Sequence, residues 1–198
     1  MSPPAPADAA AARYSTVFKA YDIRGRVPGE IDAPMVWGIG GAFAGYVAER
    51  GASGVVIGRD MRSSGPELSA AFAAGVLDAG LEVLDAGLVS TDMLYFASGR
   101  LDLPGAVLTA SHNPAAYNGI KCCLAGARPI GEETGLNEIR EAAERLYGAD
   151  PAKAATRAAR PVEGDAGYQT TDLLEAFSEH VRSFLTVEVC PLRVVADT

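Results

Sequence analysis

One serine follows a predicted buried strand directly, in the segment Thr109-Ala-Ser-His-Asn-Pro114. The apolar run Ala106-Val-Leu-Thr109 predicts the strand, and ligands of open α/β sheets bind just outside the carboxyl ends of strands. Ser111 is therefore expected to present its hydroxyl at the edge of a sheet, with His112 and Asn113 as hydrogen-bonding neighbours. A serine hydrolase is a poor match, because the G-x-S-x-G elbow is absent and adjacent side chains of an extended chain point opposite ways. On composition alone, an ordinary Asx or Ser turn is the simpler interpretation.

Basic residues lie beside strand ends or turns in three other segments. These segments are Lys19-Ala-Tyr-Asp-Ile-Arg-Gly25 with Tyr21 and Arg24, Gly58-Arg-Asp-Met-Arg-Ser-Ser64 with Arg59 and Arg62, and Asn118-Gly-Ile-Lys121. The chain carries 17 basic and 25 acidic residues, a net charge of −8, which argues against general binding of nucleic acids or anionic membranes. Any anionic ligand needs a local group of cations, and arginine and lysine neutralise phosphoryl oxygens. Each cation taken alone is better interpreted as a solvated surface charge.

Short apolar runs that alternate with helical stretches must position these segments. The predicted strands are Gly54–Gly58, Glu82–Asp85, Ala106–Thr109 and Gly119–Leu124. Such alternation is typical of an α/β layered sheet in which most strands are parallel. The glycine-rich stretch Gly38–Gly45 lies inside a helical period with no strand before it, so it predicts close helix packing and not a dinucleotide site.

Composition and the pattern of apolar residues also predict how the chain divides into domains. Residues 1–13 are expected to form a mobile tail, residues 14–150 a first domain, residues 151–171 a linker, and residues 172–198 the start of an incomplete second domain.

Composition predicts a folded protein of the cytoplasm. Hydrophobic residues make up 48% of the 198 residues and charged residues 21%, close to the values of globular proteins. The cysteine number is odd, and two of the three cysteines, Cys122 and Cys123, are adjacent, which does not suit a secreted disulfide framework. The N-terminus lacks the features of a signal peptide, and no apolar run reaches the roughly 18 to 20 residues that span a bilayer.

The four segments, in this order and spacing, resemble the α-D-phosphohexomutases, and most of all the bacterial phosphomannomutase/phosphoglucomutase group. The resemblance covers about residues 14–198 and depends chiefly on Thr109-Ala-Ser-His-Asn-Pro114. It implies a three-layer α/β/α sandwich with a mixed, mostly parallel sheet, followed by a stub of a second domain. It also implies the interconversion of hexose 1-phosphate and hexose 6-phosphate, with mannose or glucose as the sugar, through a phosphoserine and a bisphosphorylated sugar.

The resemblance assigns a role to individual residues. Ser111 would carry the phosphoryl group and contribute its phosphate to a Mg²⁺ site. Arg24 and Lys121 would be catalytic beside the transferring group, with Lys121 also a candidate for proton transfer. The resemblance also implies a set of residues that bind substrate or phosphate, which is Tyr21, His112, Asn113, Arg59 and Arg62. Arg59 and Arg62 would act chiefly by ordering the loops.

The resemblance also implies cofactors and partners. They are Mg²⁺, glucose 1,6-bisphosphate or an equivalent activator, a hexose phosphate substrate, and the remaining domains of a four-domain enzyme. The family's metal loop, Asp-Gly-Asp-x-Asp-Arg, does not occur among these 198 residues. We therefore expect this chain to be inactive by itself. There are two alternatives to this function. The chain would be a part of a phosphoglucosamine mutase, or a non-catalytic fragment that binds phosphate or a protein partner.

Overall fold

Helices lie on both faces of one mixed sheet. The computed structural model describes residues 6–187 and 193–195. The helices are α1 (Pro6–Val17), α2 (Ala33–Ala48), α3 (Gly65–Asp78), α4 (Thr91–Leu101), α5 (Leu136–Ala149), α6 (Pro151–Ala158) and α7 (Leu174–Ser183), with a 3₁₀ turn at Glu132–Thr134. The strands are β1 (Ile23–Arg26), β2 (Gly54–Arg59), β3 (Glu82–Leu88), β4 (Gly105–Leu108), β5 (Tyr117–Leu124), β6 (Arg128–Pro129) and β7 (Tyr168–Thr170).

The strand order is β1-β5-β4-β2-β3-β7, and the short β6 pairs with the C-terminal end of β5. Strand β5 is antiparallel to β4, β1 and β6, whereas β4, β2, β3 and β7 pair in parallel. A single reversed strand therefore interrupts a sheet whose other described strands run one way. This arrangement confirms the α/β sandwich with a mixed, mostly parallel sheet.

Two hydrophobic clusters fill the spaces between the sheet and its helices. The larger contains side chains of α2, α3, α5 and α6, and the smaller contains side chains of α4 together with Val56, Val107 and Leu173. Fully buried strands such as β4 have both faces covered, which explains their continuous apolar sequence. None of the helices in the described part of the chain is long and apolar enough to cross a bilayer.

Close packing against α3 explains Gly40 of α2, as its position in a helical period predicts. Gly40 and Gly75 lie where α2 meets α3, and a β carbon at Gly40 would overlap the carbonyl oxygen of Phe72. Asp32 is the N-cap of α2, and its carboxylate accepts a hydrogen bond from the backbone N–H of Met35 at 3.0 Å.

The predicted mobile tail over residues 1–13 is wrong from Pro6 onwards, because helix α1 spans Pro6–Val17. Tyr14 and Val17 are fully buried, and the Arg13 guanidinium pairs with Asp32 at 2.7 Å. Alanine has the highest helix propensity, and these contacts anchor the C-terminal end of an alanine-rich helix that would be marginal by itself. Residues 1–5 lie outside the described residues.

The predicted linker over residues 151–171 is also wrong. Helix α6 occupies Pro151–Ala158, and β7 adds a parallel strand beside β3. Arg157 donates two hydrogen bonds to the Asp78 carboxylate at 2.8 and 2.6 Å, and Ala154 is fully buried. Pro151 stands in the first turn of α6, where its missing N–H costs nothing.

Helix α7 packs against α4 through Phe177, whose ring centroid lies 5.6 Å from that of Phe96. Val181, Phe184 and Leu185 are exposed. That residues 172–198 begin a second domain stays a prediction, and residues 188–192 and 196–198 lie outside the described part.

Candidate active site

Three neighbouring strands bring the predicted cations and the serine segment together. In the register, Arg24 on β1 lies opposite Gly119 on β5, and Lys121 lies opposite Val107 on β4. The pairing continues past β4, since the N–H of Thr109 donates to the carbonyl of Gly119 at 2.9 Å. Side chains alternate between the faces of a sheet, so those of Arg24, Lys121 and Thr109 emerge on the same face.

A carboxylate that the sequence analysis did not select joins the two cations. The Asp22 Oδ2 atom accepts hydrogen bonds from Lys121 Nζ at 2.8 Å and from Arg24 Nη2 at 2.5 Å. The Asp22 side chain is only 11% exposed. Burial opposes ionisation of this carboxyl, but the bonds from Lys121 and Arg24 outweigh it and hold the pKa of Asp22 below its ordinary value. The cluster of Arg24, Lys121 and Asp22 therefore keeps one net positive charge.

The serine loop, residues 109–117, is attached to β1 through Arg24. Arg24 Nη1 donates to Asn113 Oδ1 at 2.7 Å, so one guanidinium spans from Asp22 to the loop. Ser111 is exposed and has a φ of +53°, in the left-handed region that non-glycine residues rarely adopt. Its Oγ lies 3.4 Å from His112 Nδ1, which is too long for a strong hydrogen bond. Both side chains face solvent, so His112 does not act as a closely paired base in this geometry.

Arg62 is occupied entirely by protein acceptors. Its Nη2 donates to the carbonyls of Ser111 and Asn113, both at 2.7 Å, and its Nη1 to those of Pro114 and Tyr117, both at 2.8 Å. The fifth donor, Nε, contacts the Asp60 carboxylate at 3.2 Å. A guanidinium has five N–H groups, and none of the five is left for a phosphate. The structure places Arg62 as a residue that orders the serine loop and not as a direct phosphate ligand.

Within the part of the chain that the structure describes, two further predicted residues make no hydrogen bond to the cluster of Arg24, Lys121 and Asp22. Arg59 ends β2 and makes one long contact, 3.4 Å, with the carbonyl of the next residue, Asp60. Tyr21 precedes β1 and is 82% exposed. Both positions stay predictions for binding a substrate, since the serine loop itself holds neither side chain.

The residues described by the structure include no ready-made cluster of side chains for a metal ion. They contain no group of three or more carboxylate, histidine or cysteine side chains that could hold a metal ion. Both carboxylates next to the loop are already engaged, Asp22 with two cations and Asp60 with Arg62 and Thr109. A metal at Ser111 would need ligands from residues other than these.

Replacement of Asp22 by asparagine should lower the free energy of unfolding by about 2 kcal/mol at pH 7, because the negative charge that strengthens two hydrogen bonds in a mostly buried position is lost. The depressed pKa makes this stabilisation complete above the ordinary carboxyl pKa of about 4. It is lost as pH falls through the lower folded value, where the unfolded chain binds more protons than the folded one. Urea unfolding of wild type and Asp22→Asn at pH 7, 4 and 3 should show the difference shrinking at low pH.

Glu133→Gln, which changes an exposed carboxylate, is the control and should alter neither the stability nor its pH dependence. A difference between wild type and Asp22→Asn that stays constant from pH 7 to pH 3 would contradict the role of the ionised carboxylate.

Comparison with known proteins gives a consistent result. Residues 15–148 match the family described as phosphoglucomutase/phosphomannomutase, alpha/beta/alpha domain I. A phosphomannomutase of Salmonella montevideo is 37% identical over 185 residues, covering 92% of this chain and 38% of the relative. A protein of Xanthomonas campestris described as phosphohexose mutases is 40% identical over 182 residues, covering 91% of this chain and 38% of the relative.

Solved structures agree with the sequence relatives. The crystal structure of a phosphoglucomutase/phosphomannomutase family protein from Burkholderia thailandensis superposes with a TM-score of 0.70 at 34% identity, covering 85% of this chain and 36% of that protein. The chain thus spans less than two fifths of the length of these relatives. The serine loop, the cations around it and these matches establish that the chain belongs to the phosphoglucomutase/phosphomannomutase family.

Proposed function

We propose that Ser111 carries the phosphoryl group of a phosphohexomutase that interconverts hexose 1-phosphate and hexose 6-phosphate, with mannose or glucose as the sugar. The observation that carries the proposal is the exposed Ser111 hydroxyl in a loop that Arg24 holds by its contact with Asn113 at 2.7 Å. The neighbouring Lys121 and Asp22 complete a cationic cluster in a chain of net charge −8. Such a local positive charge favours a dianionic phosphoryl group at a position where the chain as a whole would repel it.

The proposed transfer exchanges one phosphorus–oxygen bond for another. Ser111 Oγ forms a bond to the phosphorus of a sugar bisphosphate while the bond from phosphorus to the sugar oxygen breaks. The hydroxyl proton leaves Ser111 and the sugar oxygen gains a proton. In the other half of the reaction, phosphoserine transfers its phosphoryl group to the free hydroxyl of a hexose monophosphate, which loses its proton, while Ser111 Oγ regains one. Enzymes accelerate this chemistry mainly by in-line positioning and by neutralising the charge on the transferring group.

Arg24 and Lys121 supply the neutralisation that these described residues can offer. Both already donate to Asp22, which fixes their positions and leaves further N–H donors of each side chain for phosphoryl oxygens. Arg24 also contacts the serine loop, through Asn113. Asn113 and His112 border the hydroxyl on its own loop and complete the proposed phosphate-binding set.

Mg²⁺ and a bisphosphate activator belong to the proposal, although the described residues supply no metal cluster. A phosphate on Ser111 would contribute one oxygen ligand, and the other ligands would come from outside the described residues. The chain spans about 38% of the length of the Salmonella and Xanthomonas relatives. The complete reaction, its hexose phosphate substrate, the contribution of further domains and a cytoplasmic location are therefore all proposals.

The test is to incubate the purified chain with glucose 1,6-bisphosphate for several hours and to map added phosphate by peptide mass spectrometry. We expect one phosphate, on Ser111, that is absent from Ser111→Ala. Ser63→Ala removes another exposed hydroxyl from a neighbouring loop and should keep the label.

Phosphate that appears equally in Ser111→Ala would overturn the assignment. A chain that stays unmodified after incubation with saturating bisphosphate would favour the fragment that only binds phosphate. Glucosamine 1,6-bisphosphate tested in parallel would show whether the loop itself distinguishes the sugars.

A further inference from the structure

Both backbone groups of Ser111 are bound by side chains of a single network. The N–H of Ser111 donates to Thr109 Oγ1 at 2.9 Å, and its carbonyl accepts from Arg62 at 2.7 Å. Asp60 connects these two partners, since its Oδ2 accepts from Thr109 Oγ1 at 2.8 Å and from Arg62 Nε at 3.2 Å. Neither Asp60 nor Thr109 is among the site residues predicted from the sequence.

The ionised carboxylate determines which way the Thr109 hydroxyl points. A carboxylate only accepts hydrogen bonds, so the hydroxyl must donate its proton to Asp60. A lone pair of the same oxygen then faces the N–H of Ser111. Asp60 is itself held at its other oxygen, because Oδ1 accepts from the backbone N–H of Arg62 at 3.0 Å. Thr109 is almost completely buried at the end of β4, so its hydroxyl has a fixed position.

Ser111 needs such support because its backbone conformation is unfavourable. The left-handed region is unfavourable for an L residue because its β carbon comes close to the following carbonyl oxygen, and Ser111 adopts this region with a φ of +53°. The network holds the N–H and the carbonyl on either side of this residue but leaves the Ser111 side chain exposed. The unfavourable φ therefore belongs to the same residue whose hydroxyl is proposed to react.

We propose that Thr109 is a positioning residue, whose hydroxyl, oriented by Asp60, holds Ser111 in the left-handed conformation from which its Oγ meets the phosphoryl donor. The benefit for catalysis rests on the proposed function, but the conformational effect does not. Thr109 contacts no phosphate in this scheme. A displacement of about 1 Å at a reacting atom can cost up to about 100-fold in rate, so the loss of one well-placed hydrogen bond can have a large effect.

The test replaces the hydroxyl without changing the shape of the side chain. Thr109→Val should slow the saturated rate of Ser111 phosphorylation by glucose 1,6-bisphosphate by about 10- to 100-fold, with an unchanged half-saturating concentration, because orientation and not binding is lost. Thr109→Ser keeps the hydroxyl and should retain most of the rate. Thr156→Val, which removes an exposed hydroxyl on α6, is the matched control.

A second measurement does not depend on phosphoryl transfer. A residue with positive φ gives a strong intraresidue NOE between its amide and α protons, and this signal should be strong for Ser111 in wild type and Thr109→Ser but weak in Thr109→Val. If wild-type Ser111 takes up no phosphate, the proposed function fails while the NOE still decides the role of Thr109.

An unchanged NOE and rate in Thr109→Val would overturn the positioning role, as would a Thr109→Ser protein that is as impaired as the valine variant. Circular dichroism establishes whether each variant folds. Should the valine protein fail to fold, Thr109→Ala removes the same hydroxyl with less crowding and is judged by the same two measurements.

Discussion

The purified 198-residue chain should show no measurable mutase turnover, even with Mg²⁺ and glucose 1,6-bisphosphate, although we expect Ser111 to take up phosphate slowly. The described residues hold the serine and two cations but supply no metal cluster, and both nearby carboxylates are occupied by other side chains. Orientation of the reacting groups contributes about 7–11 kcal/mol of barrier lowering in enzymes, so we expect a rate five or more orders of magnitude below that of a complete relative. A coupled assay of glucose 6-phosphate formation from glucose 1-phosphate measures the difference.

Ser111→Ala, purified in the same way, sets the background from contaminating host enzymes. Turnover that is robust in wild type and absent from Ser111→Ala would contradict this prediction and would show that the 198 residues contain a complete site. Equal residual rates in the two proteins would agree with it.

The second large effect concerns the contact between α2 and α3. Replacement of Gly40 by alanine should lower the free energy of unfolding by about 3 kcal/mol, because the added β carbon would overlap the backbone carbonyl of Phe72. A backbone group of a neighbouring helix cannot move aside as the end of a flexible side chain can. The two helices would have to separate, and the apolar contacts along them would be lost.

Gly45, on the same helix, offers a matched control. A β carbon there meets nothing within 4 Å, so Gly45→Ala should stabilise the protein by about 0.5–1 kcal/mol through helix propensity alone. Urea unfolding of the two variants should therefore shift in opposite directions. A stability change of the same sign and size in both would show that the close helix contact does not limit residue 40.

Local sequence was sufficient to predict the main elements of this fold. Strands such as β4 are short apolar runs buried on both faces, and α2 carries its glycines within a helical period. These features depend on residues near one another in the chain. The serine segment was also predicted from local pattern, because a hydroxyl residue directly after a buried strand must emerge at the end of the sheet.

The two errors in the domain prediction have a common physical cause. Both α1 and α6 are rich in alanine, and a short helix of this kind is marginal unless tertiary contacts support it. The supports are the buried Tyr14 in the first case and the Arg157–Asp78 ion pair in the second. Neither contact can be recognised from the local sequence.

By itself, then, the sequence determined that Ser111 follows the carboxyl end of a buried strand, and it selected Arg24 and Lys121 as candidate cations. The tertiary structure decided how these groups are held. Lys121 meets Asp22 across 99 positions of sequence only because the reversed strand β5 lies between β1 and β4. Asp60 and Arg62 likewise reach the serine loop because β2 pairs in parallel with β4, so that the ends of both strands meet at one edge of the sheet. A change of a few tenths of an ångström in the distance between donor and acceptor decides whether a hydrogen bond forms. Strand order and register set those distances, and no local pattern encodes them.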